Sequence, residues 1–269
     1  MVIFAVTNQK GGVGKTTTAI NLSAALAAMR NQVLLVDLDP QCNATVGSGV
    51  VLDKTTGSLA EVLLGQDSVQ AVVQATSYGY HILPSNHRLT AAEVSLLGKK
   101  DKERQIKRIL DKVRKMYRYV IIDCPPTLNI LTINALVAAD EVVIPVQCEY
   151  YALEGLAKLL KTIDALRQTL GVGVNIHGVL RTMYDGRNLL TRQVSERLMQ
   201  SFPGKVYQTV IPRNIRLAEA PSHGMPILAY DKRSQGAASY LALAAEVIRR
   251  SEKSQGGAMP MIEGEEEYA

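Results

Sequence analysis

The chain has 269 residues, 47% of them hydrophobic and 20% charged, an ordinary globular composition with room for one large core. No stretch approaches the roughly 18 uninterrupted apolar residues of a membrane-spanning helix, and three widely spaced cysteines, Cys42, Cys124 and Cys148, argue against a disulfide scaffold or a metal cluster and fit a reducing cytoplasm. The net charge is +5; four glutamates, Glu263, Glu265, Glu266 and Glu267, fall in the last seven residues, and without them the charge is +9, a basic body that invites a polyanion without specifying one.

Taken in order, Val2–Thr7 reads as a short strand and not as a secretory leader, because neither a basic segment nor a cleavage site accompanies it. A glycine cluster follows, then an alanine- and leucine-rich helix over Asn21–Met29. Val33–Asp37, Tyr119–Asp123 and Glu141–Val146 are continuous apolar runs, the mark of strands buried on both faces. Ile176–Leu180 and Tyr207–Ile211 repeat it. Helical stretches over about 102–116, 153–170, 188–201 and 236–250 separate them. This alternation predicts an α/β fold: a single doubly wound, mostly parallel sheet with helices on both faces, spanning residues 1–250. From Ser251 the composition turns to Ser, Gly and Glu, which predicts a disordered acidic tail over 251–269.

Between the first strand and the first helix lies Gln9-Lys10-Gly11-Gly12-Val13-Gly14-Lys15-Thr16-Thr17. Glycines let backbone N–H groups turn inward around phosphate oxygens, and the helix that follows directs its positive end at them. Lys15 is placed to neutralise β/γ-phosphate charge and the Thr16 hydroxyl to ligate Mg²⁺. Gln9 stands where the common phosphate loop has its first glycine, and a second lysine, Lys10, opens the loop. The residues predict a nucleoside triphosphate site. A loop of this kind needs a carboxylate on the metal side at the end of a neighbouring strand, and Asp123 fits. Asp37 and Asp39, in Val36-Asp-Leu-Asp-Pro-Gln41, are both candidates to orient an attacking water, and either is equally suited to capping the next turn.

Lys10-Gly-Gly-Val-Gly-Lys-Thr-Thr17, Asp37-Leu-Asp-Pro-Gln41 and Asp123-Cys-Pro-Pro126 together resemble the ParA/Soj family of chromosome- and plasmid-partitioning ATPases. Pro145-Val-Gln-Cys-Glu-Tyr-Tyr-Ala-Leu-Glu-Gly155 and Ile211-Pro-Arg-Asn-Ile-Arg-Leu-Ala-Glu-Ala-Pro-Ser-His-Gly224 extend the resemblance to the Soj-like branch. The resemblance implies a P-loop ATPase with ATP and Mg²⁺ as cofactors and a homodimer that sandwiches two ATP molecules. It implies that Lys10 reaches the partner subunit's phosphates, that Gly12 sits at the close approach, that Asp39 orients water and that Asp123 is an outer-sphere magnesium ligand. Gly11, Val13 and Gly14 belong to the same loop, Thr17 is matched to the α-phosphate, and Pro212 and Asn214 to the border of the adenine pocket. A ParB-like activator is implied as partner, and a cytoplasmic, nucleoid-associated location.

Two basic regions are candidates for DNA. Residues 99–118 hold ten Lys/Arg against three Asp/Glu, a pattern that is equally that of a solvated helix face. The other is the discontinuous set Arg181, Arg187, Arg192, Arg213, Arg216, Lys232 and Arg233. The resemblance favours the second, with Arg187, Arg192 and Arg216 foremost. Without a base-reading motif, contacts fall mainly on phosphates of double-stranded DNA. A membrane-positioning ATPase of the MinD kind is the main alternative; it needs a basic amphipathic terminal helix, whereas the end of this chain is acidic and interrupted by Pro260, so no membrane partner is expected. A ParA-like ATPase that positions a non-chromosomal cargo is a further alternative.

Overall fold

The computed structural model describes residues 1–52 and 56–256. Eight strands, β1 (Val2–Val6), β2 (Val33–Asp37), β3 (Gln74–Ala75), β4 (His81–Leu83), β5 (Tyr119–Asp123), β6 (Glu141–Gln147), β7 (Asn175–Tyr184) and β8 (Val206–Pro212), form one sheet in the order β3-β4-β2-β5-β1-β6-β7-β8. All neighbours are parallel except β3 and β4. Among the described residues the α-helices are α1 (Lys15–Ala28), α2 (Asn43–Gly47), α3 (Leu59–Leu64), α4 (Val69–Val72), α5 (Leu89–Leu97), α6 (Gln105–Asp111), α7 (Ile130–Ala138), α8 (Ala152–Leu170), α9 (Leu189–Ser201), α10 (Ile215–Glu219), α11 (Ile227–Tyr230) and α12 (Gln235–Gly256).

Strand residues divide by parity between two cores, as side chains that alternate across a pleated sheet must. Ile3, Ala5, Leu34, Val36, Val120 and Ile122 pack beneath helices α3 to α9. Their neighbours Phe4, Val6, Val33, Leu35, Tyr119 and Ile121 pack beneath α1, α11 and α12. This accounts for the unbroken apolar runs: both faces are covered, so β2 and β5 are apolar up to the aspartates that end them. The doubly wound sheet expected from the sequence is the one observed.

Several boundaries differ from expectation: α1 begins at Lys15 where the helix was expected from Asn21, and β7 runs over Asn175–Tyr184 where Ile176–Leu180 was expected. The basic helix expected over 102–116 is a 3-10 turn, Lys102–Arg104, followed by α6, which ends at Asp111. At the other end α12 continues through Ser251 to Gly256, past the point where the composition changes; the acidic residues Glu263–Glu267 lie outside the described residues. Among the described residues no helix is long and apolar enough to cross a membrane.

Candidate functional site: a phosphate loop between β1 and α1

Strand order reverses around β1. The chain leaves β1 for β2 on one side of it and returns from β5 to β6 on the other. Loops at such a point diverge and leave a crevice at the carboxyl ends of the strands. Register brings three of these ends together, because Asp123 of β5 lies beside Val6 of β1 on one side and beside Asp37 of β2 on the other.

The loop from Thr7 to Gly14 is shaped by left-handed glycines, Gly12 at φ 74° and Gly14 at φ 85°. A Cβ on Gly12 would meet no atom within 4 Å, so within one chain the demand for glycine there comes from the backbone angle and the space beyond is open. Asn8 fastens the loop: its Oδ1 accepts the Lys10 N–H at 3.0 Å and its Nδ2 donates to the Pro145 carbonyl at 2.8 Å. From β7, the Thr182 hydroxyl donates to the Val13 carbonyl at 2.8 Å. Lys15 is buried and its Nζ donates to the Lys10 carbonyl at 3.0 Å, so its ammonium lies across the mouth of the loop. Burial lowers its pKa, while Asp123, Cys124 and Asp39 pull the other way.

Asp123 is fully buried, and neither carboxylate oxygen has a hydrogen-bond partner among the described residues. Burial and the neighbouring Asp37 push its pKa well up, against the opposing influence of Thr16 and Lys15. A buried carboxylate without donors is costly; a hard cation shared with the Thr16 hydroxyl is the chemistry that satisfies it. The donor set therefore fits Mg²⁺.

The two aspartates after β2 are distinguished by their partners. Asp37 accepts three hydrogen bonds, from Asp39 N at 3.1 Å, Thr45 N at 2.8 Å and Thr45 Oγ1 at 2.7 Å. It is the anchor of the turn. The same Thr45 hydroxyl accepts from Ser85 N at 2.9 Å, and Ser85 Oγ donates to the Asp39 carbonyl at 2.9 Å. Asp39 itself spends one carboxylate oxygen on Gln41 N at 2.9 Å, and its second is unpartnered among the described residues. Of the two aspartates, Asp39 is therefore the one with a carboxylate oxygen left to take a further partner.

Pro212 and Asn214 line a cavity of about 210 Å³ whose walls include Gly14, Thr17, Met183 and Tyr240, a recess contiguous with the loop and of a size for a nucleobase. Asn214 also caps α10 by accepting from Leu217 N at 3.2 Å. The arginines are dispersed. Arg187 is exposed and doubly bonded to Asp185, at 2.9 Å through each of Nε and Nη2. Arg216 pairs with Glu219 at 3.0 Å and lies 3.8 Å from Asp231. Arg192 is exposed on α9. Arg181 leaves the candidate set: it is buried and donates to Ser195 Oγ and to the carbonyls of Tyr207 and Gln208. Asn8, Thr45, Ser85 and Thr182 escaped the reading of the sequence, because single polar residues beside apolar strands carry no motif of their own.

A family model described as an AAA domain matches residues 1–176. The sporulation initiation inhibitor protein Soj of Bacillus subtilis is 51% identical over 246 residues, 91% of this chain and 97% of that protein. The chromosome partitioning protein ParA of Myxococcus xanthus is 47% identical over 249 residues, 92% of this chain and 88% of that one. Among solved structures, cobyrinic acid a,c-diamide synthase of Mycobacterium smegmatis with a bound ATP analogue and magnesium is 37% identical, with a TM-score of 0.83 covering 94% of this chain and 97% of that one. With its phosphate loop, its two aspartate motifs and this degree of likeness over nearly its whole length, the chain belongs to the ParA/Soj family of chromosome-partitioning P-loop ATPases.

Proposed function

We propose that the chain is an ATP-dependent DNA-partitioning ATPase of the cytoplasm, whose ATP-bound homodimer holds duplex DNA without regard to sequence and lets go after hydrolysis stimulated by a ParB-like partner. The observation that carries the reading is the donorless, buried Asp123 carboxylate beside Lys15 and Thr16, an arrangement suited to a metal–triphosphate. Magnesium bound there would offset charge on the transferring phosphoryl group. The chain's own groups divide the rest. Backbone N–H groups of Gly11 to Thr17 hold phosphate oxygens, Lys15 neutralises the β/γ pair, and Asp39 orients the attacking water. Lys10, at the exposed lip of the loop beside the open face of Gly12, is supplied to the partner's phosphates, which ties dimerisation to the γ-phosphate.

Pairing of subunits also accounts for control of DNA binding. If Arg187, Arg192 and Arg216 of one subunit neutralise about three phosphates, the dimer addresses about six, and the logarithmic salt slope steepens from about −2.7 to about −5.4. Light scattering and duplex binding without nucleotide, with ADP and with a non-hydrolysable ATP analogue test this. The expected result is a dimer and the steeper slope with the analogue alone; a solitary chain with the same slope in all three conditions overturns it.

A further inference from the structure

The basic segment 99–118 plays no part in the site above, yet its outer side carries positive charge that its surroundings leave unanswered. Ile106, Ile109, Leu110 and Val113 are buried in the core, which turns Lys107, Lys112, Arg114 and Lys115 outward with Asp111 the one carboxylate among them in sequence. Arg108 is paired with Asp101 at 2.8 Å, but among the described residues those four cations have no ion pair. The segment ends at Arg118, immediately before β5, and there it does meet a carboxylate: Arg118 Nη2 donates to Glu252 Oε1 at 3.3 Å, near the end of α12. Helix α12 has by then crossed the molecule. Tyr240, near its start, lines the recess beside the phosphate loop, whereas Arg250 donates to the Val206 carbonyl at 2.8 Å, at the amino end of β8. The chain therefore leaves α12 at the sheet edge opposite the phosphate loop, next to the basic segment.

Residues 257–269 follow, outside the described residues; they hold Glu263, Glu265, Glu266 and Glu267 and no Lys or Arg. Seven residues take the chain from Gly256 to Glu263, about 24 Å when extended. Lys112, Arg114 and Lys115 lie within six residues of Arg118, at most about 21 Å from it by the same measure. We propose that the acidic segment Glu263–Glu267 docks on Lys107, Lys112, Arg114 and Lys115 of its own chain and covers them. A short tether holds it there at an effective concentration of about millimolar, so exposed ion pairs too weak to join two molecules suffice. The other cations near the end of α12 are less available: Lys205 donates to the Ile176 carbonyl, and the recess it shares with Arg250 and Lys253 also holds Glu141. A lipid surface is the poorer occupant, because the stripe turns its apolar side chains inward and interfacial binding needs them beside the cations. The docking stands on charge and chain path alone. Its consequence rests on the ATP-gated reading: the cover withholds an ungated set of cations from DNA, leaving the hold on the duplex to the nucleotide-controlled arginines.

The chain has no tryptophan, so Tyr268→Trp places a single reporter beside the glutamates. Its fluorescence anisotropy is read in the full chain without nucleotide, with and without Lys107→Gln, Lys112→Gln, Arg114→Gln and Lys115→Gln together. Salt is raised from about 0.1 M to about 1 M, which shortens the Debye length from about 10 Å to about 3 Å. Thermal melting checks that these exposed substitutions leave the fold intact. The expected result is a high anisotropy at low salt that falls, at high salt, to the value the stripe variant shows throughout. Equal anisotropy in the two proteins overturns the proposal, as does an anisotropy that climbs with protein concentration, which places the segment on a second copy. Neutralising the other side gives an independent readout. Glu263→Gln, Glu265→Gln, Glu266→Gln and Glu267→Gln together should raise nucleotide-free affinity for a duplex of arbitrary sequence tenfold or more, with a logarithmic salt slope of about −3.6 for four uncovered cations. That gain must vanish when the stripe is neutralised as well; no gain, or a gain that survives, overturns the cover. Neither readout uses ATP, so failure here is distinct from failure of the ATP-gated reading.

Discussion

Lys10 Nζ donates to Glu149 Oε2 at 2.5 Å, joining the lip of the phosphate loop to the turn after β6. The lysine proposed to reach a second subunit is thus held by a carboxylate of its own. Both side chains are partly exposed, at 39% and 47%, so solvent screens the pair and its worth is at most about 1 kcal/mol. That is enough to bias an equilibrium and too little to lock it. Glu149→Gln should therefore lower the ATP-analogue concentration for half-maximal dimer by about two- to fivefold, read by light scattering, whereas Lys10→Ala should leave nucleotide binding to the single chain in place and remove the dimer. An unchanged or raised midpoint for Glu149→Gln would mean that the pair is incidental.

Asp39 and Asp37 should separate function from architecture. Asp39 has a carboxylate oxygen to spare, and its removal leaves the turn held by Asp37, Thr45 and Ser85. Asp39→Ala is expected to bind ATP, dimerise and associate with DNA while turnover falls by roughly 10²–10⁴-fold. Turnover within threefold of wild type would transfer the water-orienting role elsewhere. Thr45→Val should do the reverse. It withdraws the hydroxyl that donates to Asp37 and accepts from Ser85 N, leaving buried polar groups unpaired at a cost of about 1–3 kcal/mol, visible as a lower melting temperature.

Burial also predicts a dependence on pH. The fully buried Asp37 carboxyl is pushed up to about 6 by desolvation, even though Thr45 and the backbone favour its charged form. A carboxyl with a folded pKa above its unfolded value binds its proton more tightly in the folded chain. The native state is therefore unpenalised below about pH 4 and loses stability as pH rises through 6. The loss for Asp37 alone is about 3 kcal/mol, and Asp123, shifted in the same direction, adds to it. Nucleotide-free protein should melt progressively earlier between pH 4.5 and 7 at fixed ionic strength relative to Asp37→Asn, in which this titration is absent. Parallel curves for the two proteins would contradict the shift.

The sheet was readable because strands covered on both faces admit only apolar residues, and β2 and β5 announce themselves in that way. Helix α7 was not, since all but one of its nine residues are buried and it shows no polar face to mark its period. β3 and β4 are too short, at two and three residues, for any alternation to register. The phosphate loop was legible for a local reason: φ near 80° at Gly12 and Gly14 requires glycine at fixed spacing. Cys42, by contrast, stands at φ 59°, a left-handed turn position that its residue type does not announce. The residue pattern left Asp37 and Asp39 both open and only the family resemblance pointed to Asp39; the difference in their partners was not legible, because it depends on Thr45 and Ser85, eight and 46 positions away.

Asp123, the carboxylate proposed to face the metal, offers the sharpest separation of stability from binding. In the nucleotide-free chain the buried Asp123 carboxyl has no hydrogen-bond partner among the described residues and burial opposes its ionised form, so replacing it by a neutral side chain should relieve the fold where the carboxyl is ionised, while the same change removes the anion proposed to serve a magnesium–nucleotide complex. Asp123→Asn is therefore expected to raise the melting temperature of the nucleotide-free protein near pH 8, where the wild-type carboxyl is most ionised. It should also diminish the further rise that magnesium with an ATP analogue produces in wild type, a ligand-linked gain that scales with the logarithm of ligand over Kd. Both melting series use the same protein preparations with and without magnesium, and the two shifts must have opposite signs. A variant that melts earlier without nucleotide, or that keeps the full magnesium-dependent gain, would show that Asp123 is satisfied by the protein itself and leave the cation to other ligands.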